Sequence, residues 1–536
     1  MSILFGIQSA VYILWKADKL TPGSQKNTFP LHPFLIAAYP VFSLLANNIE
    51  EVKAIVALRP LVICLLISVL LFIILRLLLK NSAKAGLVTT IVLIFFFSYG
   101  HIYSFFEQNS QLLINLGRHR ILAPIWAVML ITLLILSIRT TRDLRPATHF
   151  LNIITAFALL MPILQIGLFE MRTLTSSKSE IDSNKELTDL SLPHDQPAPD
   201  VYYIILDAYA RDDYLLHDQS YNNSAFLREL ENLGFFIANC SQSNYAQTQL
   251  SLASSLNMDY LQNLGSQFNT QNTSRVGVDE LIRHGVVRQA FESLGYSTAA
   301  FETGFKYTQW EDAGLYLSPT AGTLENLQIA QGLNEFEAIL IKTTAGLILA
   351  DSRAVLPRIL QPDLDNPRRI HRERILFALD QLGKLPDLPG PKFVFAHLVI
   401  PHPPYVFGSD GEFTDFDLEA KTGYLDQIEY INKRMVPLLK DILSSSATPP
   451  IIIIQGDHGA IHSPPDKRLE VLNAIYLPGI FPEILYEHMT PVNTFRIILN
   501  KFFGGSYPLL DDIGYYSSYK TPYDFSVIPN SSSACQ

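Results

Sequence analysis

The chain has 536 residues, of which 48% are hydrophobic and 17% are charged, and its formal net charge is −10. This length exceeds that of one ordinary domain. The acidic balance argues against a nucleic acid as partner, because binding to a phosphate backbone needs clustered Lys and Arg. Composition changes near Arg172: residues 1–172 are basic and strongly apolar, whereas residues 173–536 are acidic and of mixed composition. The sequence therefore predicts a membrane half followed by a soluble half.

Apolar stretches long enough to cross a hydrocarbon core of about 30 Å dominate the first half, which we interpret as a transmembrane domain at 1–172. Four stretches are clear, and a fifth is shorter and contains two prolines. The predicted spans lie near 31–47, 58–80, 85–106, 121–139 and 149–170. Residues 1–15 are short for a span, and no basic residue precedes them as in a signal peptide. We interpret them as an interfacial helix, with a sixth span as the alternative.

Basic residues are concentrated in alternate loops of this half, which predicts that these loops are cytoplasmic. The basic segments lie around Lys16–Lys26, Arg76–Lys84 and Arg139–Arg145. Five spans then place everything after Arg172 outside the cytoplasm, so we expect a multi-pass protein of the plasma (inner) membrane with an extracytoplasmic domain. Charged residues occur only near the ends of the spans, which argues against an ion-conducting transporter.

The second half begins with a polar segment at 173–198, which is predicted to be a linker. From residue 199 to 536, continuous apolar runs such as 201–206 and 451–455 alternate with helix-like segments. This alternation predicts an α/β domain with a mostly parallel central sheet and helices on both faces. In such sheets the functional site lies at the carboxyl ends of the strands.

Carboxylates and an imidazole follow two of the predicted strands. Asp207 follows the run at 201–206, and Asp457 and His458 follow the run at 451–455 in Gly-Asp-His-Gly. Two carboxylates and an imidazole at neighbouring strand ends would suit one divalent ion, Zn²⁺ or Mn²⁺. The alternative for Asp207 is a helix cap or turn residue, and the Asp-His pair could equally form a turn.

Two further histidines accompany the predicted strand at 392–400. His402 follows this strand in a proline-rich turn, and it could either take part in the site or stack within a rigid turn. His397 lies inside the apolar strand, and we interpret it as a core histidine with its hydrogen bonds satisfied.

A candidate nucleophile stands at the start of a helical run within 241–258. Thr248 would lie at the helix N-terminus, where the dipole and the unpaired N–H groups favour an anion and lower the cost of an alkoxide. A metal on the same oxygen would lower this cost further. The alternative is that Thr248 is an ordinary N-cap residue.

The three cysteines are Cys64, Cys240 and Cys535, and no C-x-x-C motif is present. A thiolate zinc site or a redox pair is therefore not expected. A bridge between Cys240 and Cys535 is compatible with the sequence, which does not decide it.

The ordered motifs of the second half resemble those of the alkaline phosphatase/sulfatase superfamily. They are Asp207 after the first strand, Thr248 in TQLSLAS, His402 in HLVIPHPPY, and Asp457-His458-Gly459. The preceding spans resemble the membrane branch of this superfamily, which contains lipoteichoic acid synthase, the phosphoglycerol transferases and the lipid A phosphoethanolamine transferases. The resemblance covers roughly 199–500 in motif order and 31–172 in layout.

The resemblance implies a site in which Thr248 attacks phosphorus and forms a phospho-threonine intermediate, from which an acceptor or water takes the group. It implies that one divalent metal ion is held by Asp207, Thr248, Asp457 and His458. His402 is similar to the histidine that contacts the transferred phosphate or its leaving group. The implied partners are a membrane lipid or lipid-linked donor and an envelope glycan or lipid acceptor.

Two further residues are candidate substrate-binding residues. His462 lies close in sequence to the Asp-His pair. Trp310, in QWEDAGLY, comes closest to the Trp-x-Arg patch that phosphoglycerol transferases tend to use, although the Arg is absent.

Some family features are missing from the chain. The C/S-x-P-x-R motif, whose first residue sulfatases convert to formylglycine, is absent around Thr248, which argues against sulfate-ester hydrolysis by that route. Asp207 is followed by Ala208 rather than by a second aspartate, which favours one metal. Three cysteines cannot supply the several disulfides of phosphoethanolamine transferases.

The sequence thus predicts a membrane-anchored, metal-dependent phosphotransferase that moves a phospho-head-group of the phosphoglycerol or phosphoethanolamine type to a cell-envelope acceptor. The first alternative is a hydrolase of phosphate or sulfate esters, and the second is a catalytically degenerate scaffold that keeps the fold.

Overall fold

The structure is a computed structural model, and it describes residues 28–108, 118–176, 190–192, 197–319, 332–351, 363–414, 420–479, 484–530 and 535. The predicted interfacial helix at 1–15 and most of the predicted linker at 173–198 lie outside these residues. The chain divides into two compact units. The first contains Met1–Ser43, Pro60–Pro162 and Lys342–Ile348, and the second contains Leu44–Arg59, Ile163–Ile341 and Leu349–Gln536.

The described residues of the first half lie mostly in helices. Its helices are α1 (His32–Asn48), α2 (Leu58–Leu79), α3 (Ser82–Gln108), α4 (His119–Arg139) and α5 (Arg145–Ser176). In the described part of the chain, four helical segments are long and apolar enough to cross a membrane: Ala54–Leu79, Ser82–Glu107, His119–Arg139 and Arg145–Thr173. The predicted span at 31–47 forms α1, which has 17 residues and contains Pro40, and it is not among these four. The number of spans therefore stays a prediction.

The second half alternates strands and helices. Up to the middle of this half the elements are β1 (Val201–Leu206), α6 (Asp212–His217), α7 (Ser224–Asn232), β2 (Phe236–Ile237), α8 (Thr248–Asn257), α9 (Leu261–Leu264), α10 (Val278–Arg283), α11 (Val286–Ser293), β3 (Ser297–Phe301) and β4 (Leu315–Leu317). They continue with α12 (Glu335–Lys342), α13 (Gly346–Asp351), α14 (Asn366–Leu382), β5 (Lys392–Leu398), α15 (Ala420–Ser445), β6 (Ile451–Gln455), β7 (Asn473–Tyr476), α16 (Pro491–Phe502), β8 (Gly514–Tyr516) and β9 (Ser526–Ile528).

Seven of these strands form one sheet in the order β2-β7-β6-β1-β5-β3-β4. Strand β1 lies near its centre and pairs in parallel with β5 and β6, and β3 pairs in parallel with β5 and β4. Strand β7 runs antiparallel to both of its neighbours, β2 and β6. The sheet is thus mostly parallel, and the predicted fold class is confirmed.

Side chains of β1 alternate between two hydrophobic clusters, as the pleat of a strand requires. Tyr203 and Ile205 pack in a cluster with residues of α8, α11 and α16. Tyr202 and Ile204 pack in a second cluster with residues of α7, α14 and α15. The sheet is therefore covered by helices on both faces, which explains why β1 and the Ile451–Ile454 run are continuously apolar and buried.

A disulfide joins Cys240 to Cys535 across 295 positions of the sequence. The sequence did not decide whether these two cysteines pair, and the structure contains the bond. Cys64, in α2, is a free thiol.

Candidate active site

The carboxyl ends of β1 and β6 bring three of the predicted site residues together. The two strands are parallel neighbours, with Ile205 opposite Gln455. The residues that follow β1 and those that follow β6 therefore lie at the same end of the sheet. There, His458 Nε2 lies 3.6 Å from Asp207 Oδ1 and 3.5 Å from Asp457 Oδ2. All three side chains are at most 3% exposed. The predicted juxtaposition of two carboxylates and an imidazole is present.

Thr248 is the first residue of α8 and lies beside this group. Its Oγ1 is 3.2 Å from His458 Nε2. The N-cap residue of α8 is Gln247, so the alternative interpretation of Thr248 as an N-cap is not what the structure shows. The Thr248 oxygen therefore lies in the first turn of the helix, where unpaired backbone N–H groups favour negative charge.

The two glycines that flank the Asp-His pair allow close approaches of the backbone. A Cβ atom on Gly456 would lie 2.3 Å from the carbonyl oxygen of Tyr209, and one on Gly459 would lie 2.7 Å from that of Lys467. No side chain fits at either position without a shift of the neighbouring backbone. The glycines thus let the corner after β6 pack against the chain that leaves β1.

The exits of β1 and β6 are also joined directly. Ala208 adopts a left-handed conformation, with φ of 66°, which is uncommon for a residue with a side chain. Its backbone N–H donates a hydrogen bond of 3.0 Å to Asp457 Oδ1. This bond fixes the Asp457 carboxylate and leaves its other oxygen directed at the site.

The residues of the site fit a divalent cation. Within the described chain, Asp207 Oδ1 and Asp457 Oδ2 are buried and have no hydrogen-bond partner, an arrangement that is costly unless a cation or another donor compensates it. His458 Nδ1 lies 2.8 Å from the carbonyl oxygen of Gly459, so Nδ1 carries the proton and Nε2 keeps its lone pair. Two carboxylate oxygens and one imidazole nitrogen suit Zn²⁺ or Mn²⁺.

His397 belongs to this site, although the sequence analysis placed it in the core. It lies near the carboxyl end of β5, opposite Ile205 of β1. Its Nε2 is 3.2 Å from Asp207 Oδ2, and its Nδ1 is 3.3 Å from Thr308 Oγ1. Its nitrogen and one oxygen each from Asp207 and Asp457 lie within 4.8 Å of one another. His397 is buried as expected, but the register of β5 beside β1 places it against a candidate metal ligand.

His402 lies on the loop after β5 and is partly buried. Its backbone N–H donates to the carbonyl oxygen of Asp207 at 3.1 Å. Its Nδ1 lies 2.5 Å from the carbonyl oxygen of Pro403, so this nitrogen carries a proton. The structure thus places His402 next to the exit of β1, and its predicted contact with the substrate stays a prediction.

Histidines determine the electrostatics around Asp207. Burial alone would raise the pKa of the Asp207 carboxyl, but His402, His397 and His458 together hold that pKa below its ordinary value. Burial lowers the pKa of the His458 imidazole, and the nearby Arg468 guanidinium lowers it further. An ionised carboxylate and a neutral imidazole are the forms that bind a metal ion.

The other two predicted substrate-binding residues lie elsewhere. His462 is exposed on the loop after the Asp-His pair, and its role stays a prediction. Trp310 is fully buried, and its indole stacks on Phe395 with ring centroids 4.5 Å apart. A substrate cannot reach a side chain in this position. The predicted substrate-binding role of Trp310 is therefore corrected to a core role, because the large apolar indole packs against the sheet.

Arg468 is a site residue that the sequence analysis missed. Its Nη2 lies 3.5 Å from His458 Nε2, and its Nε donates to the carbonyl oxygen of Ala246 at 3.2 Å. Its Nη1 is buried and has no hydrogen-bond partner in the described residues. A cation in this position would attract an anionic group at the site. No motif marks it, since it follows the Asp-His pair on an irregular loop.

A buried arginine holds Gln247, the residue that precedes Thr248. Arg275 Nη2 donates to Gln247 Oε1 at 2.6 Å and to the carbonyl oxygen of Tyr519 at 3.0 Å. Its guanidinium lies 3.9 Å from the centre of the Tyr519 ring, and its Nη1 is 3.4 Å from Glu50 Oε2. These contacts join the loop at 44–59 to the start of α8 within the second unit.

Residues 199–498 match the family model described as Sulfatase. The chain belongs to the Sulfatase family. The match covers the β1 and β6 corners, Thr248 and both histidines of β5 and its loop. The resemblance inferred from the ordered motifs is thus confirmed at family level, and the chain is a transferase or hydrolase of the sulfatase superfamily.

Solved structures of other proteins resemble this Sulfatase-family chain at low sequence identity. The C-terminal periplasmic domain of EcEptC from Escherichia coli is 12% identical, with a TM-score of 0.39, over 62% of this chain and 92% of that domain. Lipooligosaccharide phosphoethanolamine transferase A from Neisseria meningitidis, an integral membrane protein, is 12% identical, with a TM-score of 0.37, over 88% of this chain and 94% of its own. A protein in the alkaline phosphatase superfamily from Vibrio parahaemolyticus is 12% identical, with a TM-score of 0.34, over 66% of this chain and 82% of its own. No curated protein matches the chain.

Proposed function

We propose that the chain is a membrane-anchored, metal-dependent phosphotransferase that moves a phospho-head-group, of the phosphoglycerol or phosphoethanolamine type, from a lipid donor to a cell-envelope acceptor. Thr248 is the nucleophile and carries the group as a phospho-threonine. Asp207, Asp457 and His458 hold one Zn²⁺ or Mn²⁺ ion together with the Thr248 oxygen.

One observation carries this proposal: the Thr248 hydroxyl, in the first turn of α8, lies 3.2 Å from the His458 nitrogen that also faces both carboxylates. A threonine that only capped a helix would need neither buried carboxylates nor an imidazole at this distance. A nucleophilic hydroxyl needs a group that favours its alkoxide, and a metal site beside a helix N-terminus is such a group.

A cation bound to the two carboxylates and to His458 would lower the pKa of the Thr248 hydroxyl and offset charge on the phosphoryl oxygens. In the first step, Thr248 Oγ forms a bond to the donor phosphorus, and the bond between phosphorus and the lipid oxygen breaks. The Thr248 proton is lost to solvent, and the leaving oxygen gains a proton from His402. Arg468 binds the non-bridging oxygens through its partly buried guanidinium.

In the second step, an acceptor hydroxyl attacks the phosphorus of phospho-Thr248. The bond between phosphorus and Thr248 Oγ breaks, and the Thr248 oxygen takes up a proton from solvent, which restores the hydroxyl. His402, having given its proton to the first leaving group, takes the proton of the attacking hydroxyl. His397 keeps Asp207 oriented in both steps by donating to Asp207 Oδ2.

Two features support a site outside the cytoplasm and a lipid donor. The four long apolar helices precede the catalytic domain, and the basic loops between them predict its extracytoplasmic side. A disulfide between Cys240 and Cys535 suits an oxidising compartment. Enzymes in such a compartment lack nucleotide donors, and membrane lipids are phosphate esters within reach of an anchored domain.

A hydrolase that transfers the same group to water is the second candidate, and membership of the Sulfatase family favours it. Its first step would be identical, and only the acceptor would differ. Sulfate-ester hydrolysis through formylglycine is not supported, because position 248 is Thr. A degenerate scaffold is not supported either, because nucleophile, carboxylates and imidazole are all present and adjacent.

The test uses the purified full-length chain in liposomes that contain phosphatidylglycerol or phosphatidylethanolamine with a labelled head group. The proposal predicts release of diacylglycerol and transfer of the label to an added glycan or lipid acceptor. Thr248→Ala abolishes both, and the exposed Thr270→Ala is the matched control. Free labelled phospho-head-group at the same rate with and without acceptor would support the hydrolase instead. Activity of the Thr248→Ala variant would contradict both candidates.

A further inference from the structure

An apolar segment in the second half of the chain stands out from its surroundings. The run from Ala338 to Ala350 reads AILIKTTAGLILA, and its single charged side chain is Lys342. It forms the end of α12, a short turn and most of α13. Ile339 and Leu349 within it are 45% and 47% exposed. An apolar segment of about this length is typical of a buried core helix or of a re-entrant or interfacial membrane segment. Ala338, Leu340 and Ala350 are buried, so one side of the segment packs on protein, and the exposed Ile339 and Leu349 leave an apolar side uncovered.

The turn of this segment packs against α3, one of the helices long enough to cross a membrane. Residues Lys342–Ile348 cluster with the first unit although they lie far along the chain. A Cβ atom on Gly100 of α3 would lie 2.2 Å from the carbonyl oxygen of Lys342 and 2.4 Å from the carbonyl carbon of Thr343. The backbone of the turn therefore touches α3 at a position that only glycine allows.

The contact lies well inside the apolar part of α3. The backbone N–H of Ala345 donates to the carbonyl oxygen of Phe96 at 2.8 Å. At a rise of 1.5 Å per residue, Phe96 is about 15 Å along the helix from Phe106, where the apolar stretch ends. If α3 spans a bilayer, this depth lies within the hydrocarbon of one leaflet.

Three consecutive backbone N–H groups at the turn are paired with protein oxygens. Ala345 N–H is bonded to α3, Gly346 N–H donates to Thr344 Oγ1 at 3.0 Å, and Leu347 N–H donates to the carbonyl oxygen of Thr344 at 3.2 Å. Non-helical backbone at membrane depth is tolerated only where protein groups pair it in this way, because lipid offers no hydrogen bonds.

We propose that Ala338–Ala350 is a lipid-embedded hairpin, inserted into the hydrocarbon of the outer leaflet and seated on α3 at Gly100. Its partner is the acyl-chain region of the bilayer. Ile339 and Leu349 face lipid, and the long Lys342 side chain extends to the head groups. The hairpin is thus a membrane contact in addition to the long apolar helices, and this inference does not depend on which reaction the protein performs.

The first experiment measures depth in the membrane. The full-length chain with Cys64→Ser and Leu349→Cys is labelled with an environment-sensitive fluorophore and placed in phosphatidylcholine liposomes that carry nitroxide groups on the acyl chains. Leu70→Cys in α2 and Leu509→Cys in the second unit are controls, since these leucines are 59% and 50% exposed. We expect acyl-chain quenching at positions 349 and 70 and none at 509. Quenching of position 349 by aqueous iodide instead, as at 509, would overturn the proposal.

The second experiment tests whether the hairpin packs on α3 at Gly100. Gly100→Ala and Gly167→Ala are compared in the Leu349→Cys background, because no atom lies within 4 Å of a Cβ atom at Gly167. We expect Gly100→Ala to displace the hairpin and reduce quenching at position 349, and Gly167→Ala to leave it unchanged. Equal quenching in both variants would contradict the packing of the hairpin on α3 at Gly100. If Gly100→Ala does not fold, the depth of position 349, measured with Gly100 intact, tests the proposal by itself.

Discussion

The hydroxyl oxygen of Thr248 lies 3.2 Å from Nε2 of His458, although 210 positions separate the two residues. The start of α8 and the corner after β6 meet at this point, and the same imidazole nitrogen faces Asp207 and Asp457. The proposed nucleophile and the proposed metal ligands therefore all lie within 3.6 Å of His458 Nε2. Changes at the carboxylates, at His397 or at the base of α8 should each affect the chemistry of Thr248 in a different, measurable way.

Removal of either buried carboxylate should remove the metal. Asp207→Asn and Asp457→Asn each replace an ionised oxygen ligand by a neutral amide, so we expect metal content to fall from about one ion per chain to a small fraction of that. Elemental analysis of the purified, dialysed variants measures this content. Asp410→Asn, whose side chain is 85% exposed, is the control and should retain the metal. Full metal content in both site variants would contradict the assignment of these ligands.

His397 should act through Asp207 rather than on the substrate. His397→Ala removes the donor to Asp207 Oδ2, and loss of such an outer partner typically costs about 10–100-fold in metal affinity. We expect weaker metal binding in a chelator competition assay, together with activity that recovers at high metal concentration. The exposed His217→Ala is the matched control. Unchanged affinity with reduced activity would instead place His397 on the substrate.

Arg275 should position the start of α8. Arg275→Ala breaks a partly buried ion pair and removes the donor to Gln247 Oε1, which we expect to lower the free energy of unfolding by about 1–3 kcal/mol. Because Gln247 precedes Thr248, the proposed nucleophile, kcat should fall while KM changes little. Thermal unfolding and steady-state kinetics measure the two effects. The exposed Arg228→Ala should change neither, and an Arg275→Ala variant with normal kcat would show that Arg275 is only structural.

The disulfide should stabilise the second unit. Cys240→Ser with Cys535→Ser opens a loop of 295 positions, and loss of a native disulfide typically costs about 2–5 kcal/mol. We expect a lower midpoint of thermal unfolding, and the same decrease after reduction of the unmutated chain. Cys64→Ser, which removes the free thiol, is the control. An unchanged midpoint would contradict a stabilising role for the bridge.

The proximity of Asp207 to Asp457 and His458 could be predicted from the sequence, because the carboxyl ends of neighbouring parallel strands lie at the same end of a sheet. Asp207 and Asp457-His458 follow continuous apolar runs, and runs of that kind form central parallel strands. The helical spacing after Thr248 likewise placed that residue at a helix start. For the strand ends, a local pattern and a general rule of α/β sheets were sufficient. For Thr248, the helical spacing was sufficient.

The residues that were missed depend on information that no local pattern holds. His397 has the sequence environment of a core residue, and only the register of β5 beside β1 places its ring on Asp207. Arg468 lies on an irregular loop, where no periodicity indicates a direction. Trp310 was assigned by analogy with a motif that the chain lacks, and its large apolar side chain instead packs in the core. The seat of Lys342–Ile348 on α3 depends on Gly100, more than two hundred positions away in the sequence.

The most direct test of the account is to map phosphate on Thr248. The full-length chain is loaded with metal, incubated with phosphatidylglycerol or phosphatidylethanolamine without an acceptor, quenched in acid, digested and analysed by mass spectrometry. The account predicts a phospho-head-group mass on the peptide that contains Thr248, absent when metal is removed and lost on addition of an acceptor. Turnover of the donor with Thr248 unmodified at every time point, or with the phosphate on another residue, would contradict the assignment of Thr248 as the nucleophile.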